Sequence, residues 1–249
     1  MAAYLECAGV TKRFGGVTAL SRIDFSVQQR EIVGLIGPNG SGKTTLFNVI
    51  SGLLRPEEGR VVFRDRDITS LAPHTICHLG IARTYQIVRP FATLTVLENV
   101  MVASAFGRRH EARLDQARAD AARWLAATGL APRAGALPAQ LTLAEQKRLE
   151  MARALATQPE LLLLDEVMGG LNPTEVDTCL ELVRRIRDEL GTTIILVEHV
   201  MRAVMKVSER VVVFSYGDRI AEGKPDEVVK NPRVIEAYLG EEYAQALRP

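Results

Sequence analysis

Two hydrophobic patterns alternate along the 249 residues. Tyr4 to Val10 and Ala19 to Val27 alternate apolar and polar positions as a half-exposed antiparallel pair does, with Thr11 to Gly16 as the connector. Arg60 to Phe63 predicts a third such strand, closed by Arg64-Asp65-Arg66-Asp67. The second pattern is a short apolar run with little alternation: Glu31 to Ile36, Leu161 to Leu164, Thr192 to Val197 and Arg210 to Phe214. Such runs are expected of strands covered on both faces. Helical patterns separate most of them, which predicts a mainly parallel α/β core.

A helical stretch, roughly residues 88 to 157, lies between the two halves of that core, and its main predicted helices are Thr95 to Phe106 and Glu111 to Thr128. In the second helix Leu114, Ala117, Ala121, Trp124, Leu125 and Thr128 share one face, while Arg113, Asp115, Arg118, Asp120 and Arg123 fall elsewhere. That amphipathic pattern places Trp124 in a core. Leu130 to Gln140, with Pro132, Gly135 and Pro138, reads as a connector. Internal repeats and low-complexity segments are not evident. The whole chain, 1 to 249, is expected to form one domain, with an antiparallel β-subdomain at its start and a helical subdomain over about 88 to 157.

Composition narrows the function classes. A content of 47% hydrophobic and 24% charged residues is ordinary for a globular chain with a sizeable core. A net charge of +1 lacks the basic excess that binding a phosphate backbone needs, so nucleic acid is not an expected partner. The apolar runs are strand-length, far short of a bilayer span, and the N-terminal residues do not read as a signal peptide. The expected location is the cytoplasm or its membrane surface. Cys7, Cys77 and Cys179 are odd in number and widely spaced, and are expected to be reduced, structural thiols.

Specific chemistry enters with Gly37-Pro38-Asn39-Gly40-Ser41-Gly42-Lys43-Thr44, which fits G-x-x-x-x-G-K-[ST] and is followed by Thr45. A predicted strand precedes it and a predicted helix, Thr44 to Ile50, follows, as a phosphate-binding loop requires. Glycines let the backbone curl around an anion with its N–H groups inward, and the helix adds its positive end. Lys43 would reach the β- and γ-phosphates, and the Thr44 hydroxyl would take one Mg²⁺ position. A second feature is the buried run Leu161 to Leu164 ending in Asp165-Glu166. Ligands gather at the carboxyl ends of parallel strands, so Asp165 is a candidate Mg²⁺ ligand and Glu166 a candidate base for the attacking water.

With these motifs in order, the chain resembles the nucleotide-binding subunits of ABC transporters over nearly its whole length. The resemblance implies a P-loop NTPase core of the RecA-like kind with mainly parallel sheet, plus the two subdomains above. It implies that Phe14 stacks on adenine, that Gln86 touches Mg²⁺ and the attacking water and signals to a membrane subunit, and that His199 contacts the γ-phosphate. Gly170-Leu171-Asn172-Pro173 matches the loop that crosses to a second subunit. The signature segment departs from the family's Leu-Ser-Gly-Gly-Gln, reading Leu141-Thr142-Leu143-Ala144-Glu145. Thr142 keeps a hydroxyl for the opposing subunit's ATP, Ala144 keeps its N–H, and Glu145 brings a negative charge that must face away from phosphate. Val167 replaces the proline usual after the catalytic glutamate.

Leu94-Thr95-Val96-Leu97-Glu98-Asn99-Val100, Gly170 to Glu175 and Asn231-Pro232-Arg233-Val234-Ile235-Glu236-Ala237-Tyr238-Leu239-Gly240 are similar to the ATP-binding subunit of bacterial branched-chain amino acid importers. That similarity implies ATP and Mg²⁺ as cofactors, two integral-membrane permease subunits and a second ATP-binding subunit, identical or different. It also implies an extracytoplasmic solute-binding protein as an indirect partner, and a peripheral position on the cytoplasmic face of the inner membrane. The permease is expected to dock near Tyr85 to Phe91. Amide or urea import, lipopolysaccharide export, an ABC ATPase acting on nucleic acid, and a P-loop kinase are the alternatives left open by sequence.

Overall fold

The computed structural model describes residues 3–86, 88–108 and 113–239. The chain forms two compact units, Met1–Pro73 with Thr193–Pro249, and His74–Thr192.

The first unit opens with a long antiparallel pair, β1 (Leu5–Phe14) and β2 (Val17–Val27). The expected connector Thr11 to Gly16 is therefore mostly strand: Lys12, Arg13 and Phe14 pair with Leu20, Thr18 and Val17, leaving Gly15-Gly16 as the turn. The inward Thr11 is buried, and that burial holds the strand together where polar residues suggested a loop. Next come β3 (Ile32–Ile36), with every residue buried, and α1 (Lys43–Ile50). β4 (Glu58–Phe63) pairs with β1, and the left-handed Arg64 and Asp65, at φ 50° and 61°, turn it into β5 (Arg66–Asp67). The resulting sheet has the order β2-β1-β4-β5.

The second unit contains α2 (Pro73–Leu79), β6 (Ile81–Arg83), α3 (Val96–Phe106), α4 (Leu114–Ala127), α5 (Leu143–Ala156), β7 (Leu161–Asp165) and α6 (Pro173–Leu190). β6 and β7 are parallel neighbours. Helices α3, α4 and α5 pack on one another, burying Val96, Val100, Ala117, Ala121, Trp124, Leu125 and Leu149. Trp124 is thus a core residue, as its spacing predicts. Leu114 is not, being 74% exposed although it shares the face of Ala117 and Ala121; it is the first residue of its helix, at the end of the packed stripe. Glu111 and Ala112, which the sequence pattern included in this helix, lie outside the described residues. Two short 3-10 turns, Ala131–Arg133 and Pro138–Gln140, occupy the expected connector.

The chain then returns to the first unit with β8 (Thr193–Val197), α7 (Met201–Val207), β9 (Arg210–Ser215), β10 (Asp218–Gly223), α8 (Pro225–Val228) and α9 (Pro232–Leu239). Within this unit the order is β10-β9-β3-β8, with β3 parallel to both β8 and β9 and β10 antiparallel at the edge. Every residue of β3 and β8 is buried, and all of β9 but Arg210, as expected for doubly covered strands. Ile36, Val204, Val211, Val213, Val228 and Val234 form one cluster, so α8 and α9 pack on the strand end that carries the glycine loop. Arg210 ties the strands together: it donates to Glu31 at 2.8 and 3.1 Å, to the Ser26 carbonyl at 2.7 Å, and to Glu222.

Candidate functional site

The glycine loop follows β3 directly and is shaped by backbone that only glycine tolerates. Gly37 has φ 151°, and a Cβ there would lie 2.1 Å from the Phe214 carbonyl oxygen and 2.6 Å from Ser41 Oγ. Gly42 has φ 105° and caps α1, where a Cβ would meet the Ala19 carbonyl oxygen at 2.5 Å. Neither residue can be replaced without moving a neighbouring strand. Lys43 is the first residue of α1 and is buried, folded back so that its ammonium donates to the Gly37 and Pro38 carbonyls at 2.8 and 2.9 Å and to Ser41 Oγ at 3.3 Å. The loop thus carries a buried cation at a helix N-terminus with no acidic residue in its first turn, the electrostatic requirement for an anion site. Thr44 and Thr45 follow on the same turn.

Two further expected residues belong to this unit. Phe14 ends β1 and is 48% exposed, with Lys12 Nζ 5.6 Å from its ring centroid, so it is a presented aromatic face and not a core residue. His199 is exposed and lies just beyond the carboxyl end of β8. Sequence reading gave Tyr238 no role of its own. On α9, burial raises its pKa, against the lowering effect of the Gly37 backbone.

The second unit holds the carboxylates. Asp165 ends β7, buried, and its Oδ2 accepts from Arg83 Nη2 at 2.6 Å while Thr84 Oγ1 accepts from its backbone N–H at 3.0 Å. Glu166 sits in the left-handed region at φ 50°, a conformation that costs a non-glycine residue roughly 1–2 kcal/mol. Its Oε2 accepts from Gln86 Nε2 at 2.6 Å, and its carbonyl accepts from Lys147 Nζ at 3.0 Å. Gln86, Leu143, Gln146, Lys147, Glu166 and Gly169 line a cleft of about 420 Å³. The structure therefore brings together Gln86 and Glu166, which the chain separates by 80 residues.

The altered signature is a closed capping box. Thr142 Oγ1 accepts from the Glu145 N–H at 3.3 Å, and Glu145 Oε2 accepts from the Thr142 N–H at 2.8 Å. Glu145 also lies 3.2 Å from Arg133 Nε, an ion pair lacking hydrogen-bond geometry. Its charge is thus spent inside the chain, and the Thr142 hydroxyl retains its own proton to donate. Thr142, Ala144 and Glu145 line a different cavity, of about 430 Å³, with Met151, Leu171 and Cys179. They do not share the Gln86–Glu166 cleft. Sequence reasoning missed Arg83 and Lys147, and nothing in the pattern around Lys147 marks it as buried.

Comparison with known proteins gives this geometry a family. The family model described as ABC transporter matches residues 20–169, and one described as branched-chain amino acid ATP-binding cassette transporter matches residues 219–244. The chain is 41% identical to the high-affinity branched-chain amino acid transport ATP-binding protein LivG of Salmonella typhimurium, over 95% of this chain and 98% of the relative. It is 38% identical to BraF of Pseudomonas aeruginosa, a protein of the same description, over 95% and 97%. Among solved structures it resembles the ADP conformation of an ATP-binding cassette of an ABC transporter, with TM-score 0.88 and 30% identity over 97% of this chain and 100% of that one. It also resembles a dimeric cassette in a post-hydrolysis state bound to ADP and Pi, with TM-score 0.81 and 28% identity over 89% and 98%. The chain belongs to the ATP-binding cassette family of ABC transporters.

Proposed function

We propose that this chain binds and hydrolyses MgATP to drive import of branched-chain or related hydrophobic amino acids through two partner permease subunits. The observation that carries the cargo is the identity to LivG across nearly the full length of both chains, including the match at residues 219–244. In this reading the backbone N–H groups of Gly37 to Thr45 and the Lys43 ammonium hold the phosphates. Lys43 trades its bonds to the Gly37 and Pro38 carbonyls for phosphate oxygens, and Phe14 offers its exposed ring to adenine. Glu166 polarises the attacking water, Gln86 orients that water, and His199 meets the γ-phosphate.

Thr44, Gln86 and Asp165 supply hard oxygen donors, which fits Mg²⁺ better than any softer metal. Gln86 turns its Nε2 toward Glu166, so its Oε1 is the end left to a cation. Mg²⁺ neutralises charge on the phosphates when bound. Thr142 and the N-terminus of α5 serve the ATP of a second cassette, a reading supported by the placement of Thr142, Ala144 and Glu145 in a cavity apart from the Gln86–Glu166 cleft. The second cassette is a further copy or a different ATP-binding subunit, and a solute-binding protein completes the importer from outside. The chain takes a peripheral place on the cytoplasmic membrane face through the permease, docking near Tyr85 to Phe91; among the described residues no helix is long and apolar enough to cross a membrane.

The test is co-purification with its permease pair followed by MgATP hydrolysis. Parent complex should turn over ATP, and Lys43→Ala should reduce the rate at least tenfold. An unchanged rate in that variant would place hydrolysis elsewhere.

A further inference from the structure

Three charged residues of α5, spaced i, i+3 and i+6 on one helical face, hold the backbone of the segment that carries Gln86. Glu150 Oε2 accepts from the Tyr85 N–H at 2.8 Å, Lys147 Nζ donates to the Gln86 carbonyl at 3.1 Å, and Arg153 Nη1 donates to the Arg89 carbonyl at 3.0 Å. Arg153 also lies 5.4 Å from the Phe91 ring centroid. Lys147 and Glu150 are each only 6% exposed.

Lys147 differs from the other two because the same ammonium also donates to the Glu166 carbonyl at 3.0 Å. A buried ammonium costs more in desolvation than an apolar side chain of its length, so packing alone does not explain a lysine here. What it does is join two backbone carbonyls, one from the Gln86 segment and one from a glutamate held in the left-handed region. Each carbonyl belongs to a residue whose side chain meets the other's at 2.6 Å. The pair is therefore fixed twice, by its own side-chain bond and by Lys147 behind it.

We propose that Lys147 is a positioning residue for ATP hydrolysis: from the signature helix it fixes the backbones of Gln86 and Glu166 relative to each other, so that a shift of the Gln86 segment is carried to the catalytic carboxylate. This rests on the function proposed above. Lys147 acts through the two backbone carbonyls it holds, and so on the chemical step more than on affinity.

The test uses the assembled transporter in which this chain carries Lys147→Met, which keeps length and loses every donor, or Lys147→Arg, which keeps charge and donors. Single-turnover hydrolysis, MgATP affinity and thermal melting are measured together. Lys147→Met should slow the chemical step by roughly tenfold to a hundredfold, the scale of one or two lost charged hydrogen bonds, with MgATP affinity within about twofold and Lys147→Arg recovering most of the rate. In a Glu166→Gln background Lys147→Met should add no further loss. Should Lys147→Met not fold, Lys147→Gln, which keeps one amide donor, should hydrolyse at an intermediate rate with parent affinity. Hydrolysis at the parent rate in Lys147→Met or Lys147→Gln would overturn the proposal. So would equal loss of affinity and rate that Lys147→Arg fails to restore, since that marks a purely structural lysine. A parent complex that hydrolyses no MgATP at all would instead remove the proposed function, and this proposal with it.

Discussion

Gln86 Nε2 donates to Glu166 Oε2 at 2.6 Å, so the amide and the candidate base are already in contact before any nucleotide is considered. The contact occupies one carboxylate oxygen and orients the other. It also means that whatever moves Gln86 changes the environment of Glu166.

Glu166→Gln should keep MgATP binding and slow the chemical step by roughly a hundredfold to ten-thousandfold, because an amide neither accepts a proton nor polarises water as a carboxylate does. An ATP-bound dimer should accumulate, visible by light scattering. Undiminished single-turnover hydrolysis would exclude Glu166 as the base.

Thr142 caps α5, and in the proposed function its hydroxyl also serves a second cassette's ATP, so Thr142→Ala should reveal both. Loss of the cap at α5 should lower stability by about 1 kcal/mol, read by denaturant melting. Loss of the hydroxyl should slow turnover of the assembled transporter by roughly tenfold at saturating MgATP, leaving this subunit's own ATP affinity unchanged. Equal turnover would show that the altered signature no longer takes part.

Arg210 joins β9 to β2, to the turn before β3 and to β10 through Ser26, Glu31 and Glu222. Its side chain is 21% exposed and that of Glu31 11% exposed, between surface and buried pairs, so Arg210→Met should destabilise the protein by about 2 kcal/mol. Urea unfolding checks this; a change under a few tenths would show that the network holds nothing.

Burial pushes the Glu150 carboxyl above the ordinary carboxylate range, against the lowering effect of the Tyr85 N–H and of Arg153 and Lys147. The folded state then holds this proton more tightly than the unfolded one. Its stabilising contribution is present below the ordinary carboxylate pKa and is lost as pH rises through the raised value. Glu150→Gln keeps an acceptor for the Tyr85 N–H and removes the titration, so the stability-versus-pH curves of variant and parent should diverge across that window, the parent falling relative to the variant as pH rises. Parallel curves would contradict the shift.

Much of this site was legible because its signals are local. The loop from Gly37 to Thr45 carries its chemistry in consecutive residues, and Asp165-Glu166 follows an apolar run of buried-strand length. The buried face of α4 was readable from spacing, apart from Leu114 at the helix end. What escaped depends on distant partners: Arg83 meets Asp165 across 82 positions and Lys147 meets Gln86 across 61, and no spacing rule links them. β6, three residues long, is too short to show a period. Thr11 to Phe14 belong to β1 and not to a connector, a difference that arises because polar residues of an exposed hairpin resemble those of a loop. The capping box of Thr142 and Glu145 has a local signal, T-x-x-E.

Transport driven by this subunit is tested most directly by uptake of labelled leucine into vesicles carrying the complete importer, with ATP supplied on the side of the cassettes. The expected result is ATP-dependent uptake with the parent chain that falls to background with Lys43→Ala and with Glu166→Gln. ATP-dependent leucine uptake undiminished by either substitution would contradict it.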